Sequence, residues 1–161
     1  MKELSKAVAP LARKVGNMLA RGAVTLVNAA GKLQTLQVSL LADESKDTVD
    51  HLEPYGFTSN PPIGAEVLVC FIEGDRSHGV AIAAADRRYR IQNLNAGEVA
   101  IYDNAGHSIK FTSTGIVITG NVTITGNVDT TGTLKNNTKD VGSTHRHSGV
   151  TAGGANTGNP V

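Results

Sequence analysis

Ile118-Thr-Gly-Asn-Val-Thr123, Ile124-Thr-Gly-Asn-Val-Asp129 and Thr130-Thr-Gly-Thr-Leu-Lys135 repeat one six-residue pattern, with Gly120, Gly126 and Gly132 at a fixed interval. Self-similarity at a fixed short period marks a solenoid or β-helix. Val, Ile and Thr favour strands, and Gly marks the bends between them. Ile118, Val122, Ile124 and Val128 form a narrow apolar stripe. Repeat units bury such a stripe only against stacked neighbours, and a single chain supplies too few. Equivalent strands from two other copies would close the core. A plain β-hairpin with glycine turns is the simpler alternative.

Just beyond the repeat stands Ser143-Thr-His-Arg-His-Ser-Gly149. Residues i and i+2 of an extended strand point to one face. His145 and His147 therefore present two imidazoles side by side. One chain offers too few ligands for a tight site, but three chains around a threefold axis would offer six nitrogens. Neutral imidazole suits Zn, Cu, Fe and Ni. Zinc prefers four tetrahedral ligands, so six favour iron or nickel. The competing reading is a pair of exposed polar residues before a polar tail. An ion at the axis would tie three chain ends together and couple metal binding to folding.

The composition fits an elongated structural protein of one or two small domains. Its 161 residues hold no Trp, three Phe and three Tyr, so a large aromatic core is unavailable. A net charge of +1 gives no broad footprint for nucleic acid. The single Cys70, in Val67-Leu-Val-Cys-Phe-Ile72, reads as a small buried hydrophobe and has no internal disulfide partner. No stretch reads as a bilayer-spanning helix. Glu3, Lys6, Arg13 and Lys14 interrupt any secretory-signal pattern.

Leu4, Val8, Leu11, Val15, Met18 and Leu19 recur at three- and four-residue steps. This predicts an amphipathic helix weakened near Pro10. Strands are expected over 22–27, 33–41, 66–72 and 80–85, with a long polar connection before Asn60-Pro-Pro62. Several short strands with turn signals point to a small barrel, and the five-stranded OB-fold is of suitable size. A further hairpin is predicted from the alternation in 98–102 and 107–111. The tail from Gly149 onward reads as disordered on composition, unless a metal and other chains hold it as a tip.

The ordered set Gly74-Asp-Arg-Ser-His-Gly-Val80, Ala100-Ile-Tyr-Asp-Asn-Ala-Gly-His107, the Ile-Thr-Gly-Asn-Val hexapeptides and Thr144-His-Arg-His-Ser-Gly149 resembles the baseplate assembly and central spike proteins of contractile-tailed bacteriophages. The likeness is to the P2 gene V and Mu spike types, closest to the Mu-like branch, and extends over nearly the whole chain. It implies a mainly β homotrimer with an N-terminal helical segment (1–20) and an OB-fold-like barrel (21–90). A β-hairpin and intertwined triple-stranded β-helix (91–134) and a metal-bound apex (135–161) follow. The family's His-x-His motif, which falls on His145 and His147, implies one iron ion per trimer on the threefold axis. Calcium and chloride ions are also associated with such spikes. The implied partners are baseplate hub and tail tube proteins at the N-terminal region and the host outer membrane at the C-terminal tip. The implied place is the virion, at the tip of the tail baseplate, after assembly in the host cytoplasm.

The remaining titratable residues read as structural. His51 falls in the acidic connection, His78 in a turn and His107 just after one, and none has a second ligand at metal spacing. Asp43, Glu44, Asp47, Asp50 and Glu53 do not fit an EF-hand. Asp129 and Asp140 are only weak candidates for an apex calcium site. No nucleophile–base arrangement or phosphate-binding glycine loop stands out, so an enzyme is not expected. Three classes are thereby ranked. A membrane-piercing spike needed for baseplate assembly leads. An OB-fold module binding carbohydrate or cell wall is the alternative, although aromatic platforms and a basic groove are scarce. A cell-wall hydrolase comes last.

Overall fold

The computed structural model describes residues 2–41, 44–142, 148–149 and 153. The chain divides into two units, Met1–Gly120 and Asn121–Val161.

The first unit opens with helix α1 (Lys2–Asn17), which holds Pro10 inside it. Five strands follow: β1 (Leu19–Asn28), β2 (Gln34–Ser39), β3 (Ser45–His51), β4 (Glu66–Phe71) and β5 (Gly79–Ala85). They close into a barrel of order β1-β2-β3-β5-β4, with β4 returning to β1. Neighbours are antiparallel except β3 and β5, which run parallel through Asp50↔Val80 and His51↔Ala81. The small barrel expected from the short strands and their turn signals is thus present, with one strand more than the four read from the sequence.

Period-two alternation builds its core. Leu36, Val38, Val49, Val67, Val69, Phe71 and Ala81 point inward with Val24 and are buried. Phe71, the largest of them, pairs with Gly79 across the β4–β5 ladder. A Cβ on Gly79 would lie 2.9 Å from Val69 Cγ1 and 3.0 Å from Phe71 Cε1. Glycine there leaves room for the ring. Register shifts between Val24 and Leu26, Leu36 and Val38, and Leu68 and Val69 are bulges of the kind that let a short sheet curl shut.

Two expectations need correction. Residues 45–51, read as part of a polar connection, form a barrel strand. The stretch Ser45-Lys-Asp-Thr-Val-Asp-His51 carries one aliphatic residue, and its inward positions are Val49 and His51. Cys70 is only half-buried, because it alternates with the inward Val69 and Phe71 and falls on the outer face of β4.

After the barrel come β6 (Val99–Tyr102), β7 (Ser108–Thr112) and β8 (Gly115–Thr119), an antiparallel sheet of order β6-β7-β8. The first two match the predicted hairpin. The first hexapeptide therefore starts inside β8. Gly120 and Gly126 both adopt positive φ, 123° and 130°, a region that only glycine enters freely. This accounts for glycine at these two positions of the repeat, whereas Gly132 at the third has no positive φ.

In the second unit, residues 121–134 are exposed and join no strand ladder among the described residues. Two short strands follow, β9 (Lys135–Asn136) and β10 (Lys139–Asp140). Asn137 and Thr138 between them both have positive φ, 46° and 67°, as a two-residue type I′ hairpin requires.

Candidate functional site

The predicted metal ligands His145 and His147 lie outside the described residues. Among the described residues, no group of three or more His, Cys, Asp or Glu side chains could hold a metal ion.

The other histidines have structural surroundings. His51 is buried at the end of β3, with Nδ1 2.8 Å from Gln34 Oε1. Gln34 Nε2 in turn donates to the Ser59 carbonyl at 3.0 Å. Glu53 receives the Ser59 N–H at 2.6 Å and the Thr58 hydroxyl at 3.0 Å. Burial opposes ionisation of Glu53, yet these hydrogen bonds hold its carboxyl below the usual range. Together these contacts tie the 52–62 connection to the barrel. His78 Nε2 stands 3.5 Å from Asp50 on an exposed surface. His107 Nδ1 is 2.7 Å from Asp103 Oδ2, while Asp103 Oδ1 accepts from the N–H groups of Ala105 and His107. Asp103 is thus committed to organising the β6–β7 turn.

A cleft of about 870 Å³ lies between the barrel and the β6–β7 turn. Leu26, Pro61, Pro62, Tyr89, Tyr102 and Asp103 contribute to its walls. Arg88 braces one side, donating to Asp86 at 2.8 Å and to the Ile63 carbonyl at 2.9 Å. Sequence reasoning missed this cleft because its walls come from four separated segments.

The feature with the clearest chemical consequence is apolar. Cross-strand register places Val99, Phe111 and Ile116 in one row and Ile101, Ile109 and Ile118 in the next. Residues directly opposite share a face, as do i and i+2. All six side chains therefore lie on one face of the β6–β8 sheet, each between 39% and 62% exposed. In the second unit, Val122, Ile124 and Val128 are 58–60% exposed. Burying apolar surface is favourable at roughly 25 cal/mol per Å², so the uncovered face of the β6–β8 sheet is a candidate surface for association. The sequence singled out Ile118 as apolar but not the face it shares with residues of three strands.

Residues 21–88 match the family described as "Bacteriophage Mu Gp45, N-terminal", a span that coincides with the barrel. The chain is 44% identical over 112 residues, 70% of its length, to the "Baseplate puncturing device gp45" of Escherichia phage Mu, and those residues cover 57% of that protein. It is 35% identical over 118 residues, 73% of its length, to the "Mu-like prophage FluMu protein gp45" of Haemophilus influenzae, covering 64% of it. The chain thus spans less than two thirds of the length of either relative. With the barrel matching that family model and the likeness extending well past it in both relatives, the chain is similar to the Mu gp45 proteins, of which the phage Mu member is named a baseplate puncturing device.

Proposed function

We propose that this protein is the central spike of a contractile phage tail baseplate, required for baseplate assembly and driven through the host outer membrane when the tail contracts. The observation that carries this reading is the 44% identity to a protein named a baseplate puncturing device. Its place is the tip of the virion's tail baseplate, after assembly in the host cytoplasm. The work is mechanical: sheath contraction supplies the force, and rigidity and a small leading end are the useful properties. Likeness to a baseplate puncturing device favours a structural role, and the proposed role needs no active site.

The uncovered face of the β6–β8 sheet supports a homotrimer. In that arrangement three copies bury these faces, and the exposed 121–134 segments wind into a triple-stranded β-helix. The hexapeptide glycines, with positive φ at Gly120 and Gly126, suit the bends such winding needs. At the apex, His145 and His147 of each chain would supply six imidazole nitrogens to one iron ion, tying the three ends together. Calcium and chloride are further ions implied by the resemblance, without assigned residues. The N-terminal region would engage the hub and tail tube, and the C-terminal tip would meet the outer membrane. No nucleic acid partner is proposed.

Size-exclusion chromatography with light scattering tests the assembly, and should read three times the chain mass; a monomer at micromolar concentration would sink the spike reading. Deleting residues 135–161 should leave the barrel folded and impair infection. A phage carrying that deletion with undiminished infectivity would remove the piercing role from the tip.

A further inference from the structure

Helix α1 leaves a stripe uncovered: Val8, Leu11 and Val15 are 49–62% exposed, and Met18 just after the helix is 38% exposed. Its C-terminal end is fixed, since the Phe71 N–H donates to the Met18 carbonyl at 2.7 Å and the Lys14 main chain lies against Gly74. The helix is therefore tied to the barrel at a set point through its C-terminal end.

The spacing of the stripe identifies what covers it. Leu4, Val8, Leu11, Val15 and Met18 follow one another at steps of four, three, four and three, the a/d rhythm of a coiled-coil seam. In that register Val8 and Val15 take position a and Leu4 and Leu11 take position d, while Met18, one residue past the helix end, continues the spacing but not the helix. Lys2, Glu3, Lys6 and Arg13 all fall at b, c and f. Pro10 falls at c, on the outer side. The flanking e and g positions hold Ser5, Ala7, Ala12 and Lys14, so Lys14 is the only charge beside the seam. A copy of the same helix meets no like-charge clash there until the last turn, and the small flanks let two backbones approach. A lipid surface would instead be met by a broad apolar face with aromatic residues, and α1 has neither.

We propose that α1 packs along this seam against α1 of neighbouring copies, forming a short parallel helical collar above the barrels. This rests on the association of copies proposed above, because two heptads are too short to hold helices together unaided. Val at a with Leu at d favours two strands when helices are free; over so short a seam, the barrels and sheets set the number. The collar would bring the three N-terminal segments to one axis, where a hub partner would meet a single rigid post.

Cysteine cross-linking in the full chain tests the collar. In a Cys70→Ser background, Leu11→Cys and Val8→Cys place thiols in the seam, and Arg13→Cys places one on the outer side. Disulfides form only when Cα atoms come within about 7 Å, so mild oxidation should give roughly tenfold more cross-linked product from the seam variants. Two seam variants guard against one failing to fold. A trimer by light scattering with no seam cross-link, or with equal cross-linking at Arg13→Cys, overturns the collar and leaves the spike reading intact. A monomer overturns both. Sedimentation of the chain with phosphatidylcholine–phosphatidylglycerol vesicles, abolished by Leu11→Asp and without seam cross-links, would assign the stripe to lipid and overturn the collar.

Discussion

Gln34 and His51 stand opposite each other in the β2–β3 ladder, and their side chains meet with His51 Nδ1 2.8 Å from Gln34 Oε1. Because Gln34 uses its Nε2 to donate to Ser59, its Oε1 is the free acceptor, and the imidazole donates through Nδ1–H. One amide thus satisfies a buried ring and holds the 52–62 connection.

Replacing Gln34 by Ala removes both bonds. A buried donor left without a partner costs about 1–3 kcal/mol. Urea unfolding of Gln34→Ala should show a loss in that range, with faster proteolysis near Ser59. An unchanged midpoint would mean that the pair contributes nothing.

Phe71 is fully buried and packs on Gly79. Phe71→Ala should cost about 3–5 kcal/mol through the cavity it leaves. Gly79→Ala should cost about 1–3 kcal/mol for the opposite reason, overpacking. Thermal denaturation distinguishes this pairing from a loosely filled core, in which Gly79→Ala would be neutral.

Asp103 answers a question of pH. Its hydrogen bond from His107, helped by the backbone donors, holds its carboxyl below the ordinary 3.8. A carboxyl depressed in the folded state stabilises above its unfolded pKa, and that contribution fades as pH falls through the lower folded value. The β6–β7 turn should therefore loosen only below pH 3.8, visible as amide shift changes at Ala105 and His107. Asp103→Asn should abolish that dependence while keeping an acceptor for Ala105. A carboxyl titrating above 3.8 contradicts the assignment.

Replacing both His145 and His147 by Ala should remove iron from protein purified without a histidine tag, as elemental analysis would report. The proposed trimer should persist, because neither histidine is among the residues of the β6–β8 apolar face. Tetrahedral zinc in the unaltered protein would overturn the six-nitrogen proposal.

What could be read from the chain followed from where local pattern carries the information. Leu36, Val38, Val67, Val69 and Phe71 alternate with outward residues, and their strands were legible. The strand holding Lys46, Asp47 and Asp50 was not, because one of its two buried residues is a histidine satisfied by a distant glutamine. Barrel closure through Leu19↔Cys70 and Asp50↔Val80 is a long-range choice that no window contains. The full β6–β8 face needed the register of three strands before six scattered hydrophobic residues became one surface. The histidine pair was legible as a motif, with its geometry outside the described residues.

Strand β5 has neighbours on both sides, β3 and β4, and is the last of the barrel strands to be synthesised. On the ribosome, β1 to β3 can form a meander early, but nothing seals Val49 and Phe71 from water until Ala81 emerges. Contacts of such high sequence separation slow folding. A nascent chain paused before Gly79 would therefore be a chaperone substrate, and synonymous codons that hasten translation through 72–85 should raise the yield of protease-resistant barrel.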